Sequence, residues 1–248
     1  MKNLKVTQSA FKDRIAQVEE QFRAWEAEGH RLHEKIARQE VRFITISREY
    51  GCAGFRIADS LAGILNHDQQ DKLAHWTVYD QKLIDLVCSD HKLNRVLVES
   101  LDRQRKFALG DLITGMFTSE PSTIKIFKKF AETIFQLAAH GNVIIIGRAS
   151  SIITSKLSGG LHLRIMAPLE WRVKQVANYE KIEDPKKAHR YVLKNDNERG
   201  KFAEDFLGKD LKDPVYYDMV LNQERLGVNG IVKLVLDVME FRVEKPAG

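Results

Sequence analysis

Five residues, Phe43-Ile44-Thr45-Ile46-Ser47, read as a short β-branched strand, and the turn after them narrows the fold sharply. The run carries no polar face, so it suits a strand covered on both sides. It passes straight into Arg48-Glu49-Tyr50-Gly51-Cys52-Ala53-Gly54, a turn with two glycines, and then into a helical pattern over about residues 55–65. Strand, glycine turn and helix together offer backbone N–H groups and the positive end of a helix dipole to whatever occupies the turn. A phosphate fits such a place, and a plain strand-to-helix turn explains the same residues equally well. The full Walker A pattern is absent: Gly54 stands where its lysine is expected and Phe55 where its magnesium-binding hydroxyl is expected.

The alternation continues downstream. Residues 77–80 read as a strand and 81–89 as a helix, and a mostly helical region runs to about residue 139. Val143-Ile144-Ile145-Ile146, within 142–147, is the plainest strand of the chain, and 161–166 is another. Ala167-Pro168 leads into a helix over 169–179, proline being at home at a helix start. A charged helical stretch at 185–206, a strand at 218–222 and a last helix at about 228–241 complete the series. Continuous apolar strands alternating with helices predict an α/β domain with a mainly parallel sheet, whose ligands bind beyond the carboxyl ends of the strands.

Ahead of this domain the period differs. Phe11, Ile15, Val18, Phe22, Trp25, Leu32 and Ile36 fall at alternating steps of four and three, with Gly29 missing from the series. That is a heptad stripe on an amphipathic helix, so residues 1–41 form an N-terminal extension and 42–248 the α/β domain. The stripe must be buried, against a second subunit or against the α/β domain, and its spacing favours helix pairing, predicting a homodimer through this helix.

Lys and Arg number 39 against 34 Asp and Glu, a net charge of +5 that suits an anionic small ligand and is too modest to demand nucleic acid. The two cysteines cannot build a disulfide framework, no apolar stretch approaches the ~20 residues that span a bilayer, and the first residues do not resemble a signal peptide. A reducing cytoplasm is the expected location. His30 and His33 have no third ligand nearby in sequence, and Cys88 reads as a small core residue, so no metal site is read from the chain itself.

The stretch Ile44-Thr45-Ile46-Ser47-Arg48-Glu49-Tyr50-Gly51, with Gly54 and Ile57-Ala58, resembles the opening motif of the cytidylate-kinase-like family, whose loop typically runs Ser-Arg-Gln/Glu-Tyr-Gly-Ser-Gly-Gly-Arg. Further segments agree in order: Val78-Tyr79-Asp80, Ile145-Ile146-Gly147-Arg148, Ala167-Pro168-Leu169-Glu170 with Arg172, then Asp196, Glu198-Arg199, Gly208-Lys209-Asp210 and Tyr217-Asp218. The likeness extends over residues 42–240. It implies a P-loop kinase-like three-layer sandwich and transfer of the γ-phosphoryl group of ATP to CMP or a related nucleoside monophosphate, with Mg²⁺ bridging the phosphates.

The same resemblance assigns roles. Arg148 would grip the acceptor phosphate, a task suited to a guanidinium fork, and Asp80 would contact the nucleotide or cap the helix that follows it. Arg199 would act from a mobile lid that also carries Arg190, Lys194 and Lys201; Arg172 would assist or form a structural ion pair. Arg48, Gly51, Cys52, Ala53, Gly54, Phe55 and Arg56 would hold the ATP phosphates. Cys52 and Ala53 stand in place of the family's Ser and Gly, and Phe55 in place of its arginine, with Arg56 one position later. Those departures leave a second reading, a catalytically impaired nucleotide-binding protein that uses the N-terminal helix for interaction.

Overall fold

Each apolar run forms a strand, and together the runs make one parallel sheet. The computed structural model describes residues 8–37, 41–67, 74–90, 92, 93, 96 and 122–244. The strands are β1 (Phe43–Arg48), β2 (Thr77–Tyr79), β3 (Val143–Ile146), β4 (Gly160–Met166) and β5 (Met219–Asn222), in the order β2-β3-β1-β4-β5. Neighbouring strands run parallel throughout, with Ile44 opposite Ile144 on one side and Leu161 on the other. This is the α/β architecture expected of a P-loop kinase-like chain.

Because side chains alternate along a strand, each strand feeds two cores. Ile44 and Ile46 of β1 point into a core closed by α2 (Gly54–His67) and by α8 (Gln223–Glu244). Phe43, Tyr79, Val143 and Ile145 point into the opposite core, closed by α3 (Gln81–Ser89) and α4 (Ser122–His140). Two short pieces escaped the sequence: α5 (Ser150–Ile153) and a 3-10 turn at Pro214–Tyr216. The helices α6 (Leu169–Glu180) and α7 (Pro185–Leu207) stand over the carboxyl ends of the strands. An Asp184 cap on the Lys186 N–H and a proline at the first turn start α7, and left-handed Gly208 ends it. The last helix begins at Gln223 and is broken at Gly227, which has a φ of 64°, so the expected start at 228 marks that break.

The amphipathic helix is α1 (Gln8–Ala37), and its stripe is used inside the chain. Val18, Phe22 and Trp25 are buried in the same core as Phe43, Tyr79 and Phe135, with Phe11 and Ile15 packed at its edge. Gln21, on the same face, accepts from the Tyr79 hydroxyl at 2.6 Å and donates to the Asn142 carbonyl at 3.3 Å. The surface expected to pair two subunits is therefore covered by the α/β domain over these residues. Leu32 and Ile36, with His30 and His33, have side chains outside the described residues. Among those residues no helix is long and apolar enough to cross a membrane.

The chain leaves β1 toward β2 but leaves both of its neighbours, β3 and β4, toward the other edge. A crevice opens at such a reversal, over the carboxyl end of β1.

Phe22→Ala should lower unfolding stability by about 3 kcal/mol, the usual loss for a buried phenylalanine, in a urea titration. An unchanged midpoint would show that α1 does not dock on the domain.

Candidate functional site

The crevice is a cleft of about 1300 Å³, walled by the ends of β1 and β3, the turn after β3, and α7. Its lining is rich in cations, among them Arg48, Arg148, Arg164, Arg199 and Lys201. They come from four places: Arg48 ends β1, Arg148 follows β3, Arg164 lies within β4, and Arg199 and Lys201 belong to α7.

Arg48 lies deepest. Its side chain passes over Gly54, and its guanidinium rests against Gly147, where an added Cβ would overlap Nη1. Among the described residues that guanidinium has no hydrogen-bond or ion-pair partner. Burial, then the nearby cations Arg199 and Arg148, push it down to about 9, with Asp80 acting in the opposite direction. A guanidinium keeps its proton at neutral pH even so, and the unfavourable charge is relieved by an anion.

Arg148 sits on unusual backbone. Gly147, Arg148 and Ala149 have φ values of 79°, 55° and 53°, a left-handed run that two side-chain-bearing residues enter at a cost of roughly 1 kcal/mol or more each. The run aims Arg148 back across the cleft, between the Phe130 and Phe202 rings at 5.1 and 5.2 Å. Its Nη2 lies 3.5 Å from Asp85, a long contact, and its buried Nε has no hydrogen-bond partner among the described residues. A buried donor left open beside a cleft suits an oxyanion. Arg199 reaches over from α7, donating to the Arg48 carbonyl at 3.1 Å with its guanidinium 5.0 Å from the Tyr50 ring.

Arg172 also lines the cleft, but its guanidinium is engaged by the protein itself. Its Nε donates to the Ala167 carbonyl at 2.9 Å and lies 3.2 Å from Glu49, and its Nη1 donates to the Tyr50 carbonyl at 3.0 Å and to Asp196 at 2.6 Å. With four acceptor groups around it and a 7% exposed side chain, it is a structural joint between β1, the β4–α6 turn and α7, the ion-pair alternative of the sequence.

The glycine turn is closed in the same way. Asp196 accepts from the Tyr50 N–H at 2.6 Å, and Gln223 accepts from the Ala53 N–H at 2.8 Å. Two amides of the expected cradle are thus satisfied by side chains. Gly51, whose φ is 96°, packs on Arg172, where a Cβ would come within 2.9 Å of the Arg172 Cβ. Of the residues assigned to the ATP phosphates, Arg48 lines the cleft, whereas Gly51 to Arg56 do not. Arg56 is exposed on α2 and does not turn inward.

Asp80 is also engaged. One carboxylate oxygen caps α3 by accepting from the Leu83 N–H at 3.1 Å, and the other pairs with Arg14 of α1 at 2.9 Å. The Arg14 guanidinium lies 4.7 Å from the centre of the Phe55 ring, the side chain that replaces the family's loop arginine. Lys194 pairs with Glu198 on the exposed face of α7, and Arg190 is exposed.

Arg14 and Arg164 were not singled out in the sequence, yet each carried a signal. Arg14 falls three residues after Phe11 and four before Val18, a charge on an apolar stripe. Arg164 is the lone charge within the β4 run Gly160–Met166.

The carboxylates nearest the β1 end do not offer a metal much. Glu49 and Asp196 are held by Arg172 and Asp80 by Arg14, and among the described residues no cluster of three His, Cys, Asp or Glu side chains could hold an ion. Mg²⁺ fits here only as an ion carried on nucleotide phosphates, as it commonly is.

The sequence profile described as the cytidylate kinase-like family matches residues 43–225. The chain belongs to the cytidylate kinase-like family. A cytidylate kinase from Staphylothermus marinus is 25% identical over 146 residues, covering 58% of this chain and 78% of that relative. The crystal structure of an uncharacterized protein from Eubacterium ventriosum superposes with a TM-score of 0.61 at 20% identity, over 82% of this chain and 100% of the other. Membership supports a kinase-like enzyme that handles nucleotides, and the family match begins after α1, leaving Arg14 outside it.

Arg172→Ala should cost roughly 3 kcal/mol of stability, since it strands two half-buried carboxylates, and should appear as a lowered urea midpoint. Gly147→Ala should instead displace the Arg48 guanidinium, lowering anion affinity in a phosphate titration more than it lowers the melting temperature. Equal affinity with intact Gly147 and with alanine there would separate Arg48 from anion binding. Burial pushes the Cys52 thiol up to about 12 and raises Cys88 as well, so at pH 8 neither forms much thiolate. Iodoacetamide should label both only after denaturation.

Proposed function

We propose that the chain is a nucleotide phosphotransferase that moves the γ-phosphoryl group of ATP to CMP or a related nucleoside monophosphate. One observation carries the reading: Arg48, Arg148 and Arg199, from three separate elements, converge at the carboxyl end of β1 in a member of a nucleotide kinase family.

Phosphoryl transfer asks a protein mainly for positioning and charge neutralisation. The bond from the γ-phosphorus to its bridging oxygen on ADP breaks while an oxygen of the acceptor phosphate bonds to that phosphorus. Negative charge spreads over the transferring group during the exchange, and preorganised guanidinium donors stabilise it without having to reorient. Arg148, with its open Nε, is suited to grip the acceptor phosphate. Arg199 approaches from α7, which closes the cleft against water, and Arg48 forms its charged floor. Mg²⁺, if carried on the nucleotide, would supply further neutralisation of phosphate charge.

Two observations favour a second reading, a nucleotide-binding protein with little turnover: Phe55 replaces a cation in the turn, and the Tyr50 and Ala53 amides are already bonded. Incubation of the full chain with ATP, Mg²⁺ and a panel of nucleoside monophosphates decides between the two. The phosphotransferase reading expects ADP and a nucleoside diphosphate in equal amounts, with turnover reduced on the order of 10³-fold by Arg148→Ala or Arg199→Ala in folded protein. ATP binding without phosphorylation of any monophosphate would establish the second.

A further inference from the structure

We infer that Arg14, in the helix that precedes the family match, is a positioning residue of the anion site: it neutralises Asp80 and so keeps Arg48 facing the cleft.

The strand register sets the stage. Tyr79 of β2 lies opposite Ile145 of β3, and Ile146 lies opposite Ile46 of β1. Asp80 and Gly147 thus follow the ends of β2 and β3, Arg48 ends the adjacent β1, and the Asp80 charge is felt at Arg48. A carboxylate satisfies one nearby guanidinium well, and here two are in range.

Geometry gives Asp80 to Arg14. Nη1 of Arg14 is 2.9 Å from Asp80, Nη2 donates to the Val78 carbonyl at 3.1 Å, and the plane covers Phe55. The pair is only 11% and 23% exposed, so solvent screens it less than a surface pair. The docking of Val18, Phe22 and Trp25 fixes the turn of α1 that bears Arg14. Arg48 is left with two repelling arginines and an open cleft.

Without Arg14 the balance changes. Asp80 becomes a half-buried carboxylate with Arg48 as its nearby cation, and an unpaired buried charge draws its counter-charge strongly. Arg48 then turns toward Asp80, and the cleft loses a positive charge. The inference rests on the cleft being an anion site, the basis of the proposed activity, and is independent of the acceptor.

Inorganic pyrophosphate, which has no base or sugar to recognise, is the appropriate probe. Calorimetric titration of the full chain at fixed ionic strength should show Arg14→Gln weakening pyrophosphate binding by about tenfold, the equivalent of one well-placed charge contact. Asp80→Asn should bind at least as tightly as the parent, and the double variant Arg14→Gln/Asp80→Asn should return to within about twofold of it. Melting curves of all four proteins separate this role from simple docking of α1. Arg14→Gln with a lowered melting temperature and unchanged affinity would overturn the inference, as would a double variant as weak as Arg14→Gln alone. A parent chain that binds no pyrophosphate also overturns it. Pyrophosphate binding with no monophosphate phosphorylated would instead sink the phosphotransferase reading and leave Arg14 its role.

Discussion

The arrangement of the cleft depends on one buried guanidinium. Arg172 gathers the Tyr50 and Ala167 carbonyls with the Glu49 and Asp196 carboxylates, and so fixes the end of β1, the start of α6 and the middle of α7 relative to one another. It also decides the local charge. By pairing with Glu49 and Asp196, Arg172 takes up two carboxylates that could otherwise neutralise the arginines of the cleft. The positive field of the cleft is therefore a property of the whole joint, since the same cations beside free carboxylates would pair and present little to a ligand.

That arrangement works against stability. Gathering like charges in a partly desolvated cleft is unfavourable, and the left-handed residues after β3 add backbone strain at the same spot. The surrounding structure offsets both with apolar burial on each face of the sheet and with a helix drawn in from outside the family core. Such local unfavourability is expected where a protein prepares a place for something absent from its own chain.

The fold was legible because its strands are buried on both faces and therefore nearly continuous in apolar residues. Val143–Ile146 could hardly be anything else, and the helices between strands showed their periods and caps. The site was less legible for a physical reason. Sequence reveals which residues follow a strand, as with Arg48, Asp80 and Arg148, but not which partner each will find. Asp80 met Arg14 across 66 positions, and the Tyr50 N–H met Asp196 across 146. The glycine turn looked like an open cradle, yet its acceptors came from side chains on α7 and α8. The amphipathic stripe of α1 announced the burial of Val18, Phe22 and Trp25, and its spacing alone did not distinguish a second subunit from the body of the same chain. Arg14 and Gln21 on that stripe were the overlooked sign, because polar groups on an apolar face point to specific partners.

The position of α1 has a consequence for how the protein is made. Its stripe emerges from the ribosome before its partners, for the core that receives it includes Phe127, Phe135 and Ile145, and Gln21 bonds a carbonyl 121 residues away. At translation speeds of ~5–20 residues per second, the helix waits on the order of ten seconds before those partners exist. During that interval an apolar face is displayed to the cell with nothing of its own to cover it. Long-range closure of this kind slows folding and favours temporary shelter by chaperones. This helix, made before the domain, is among the last elements to be buried.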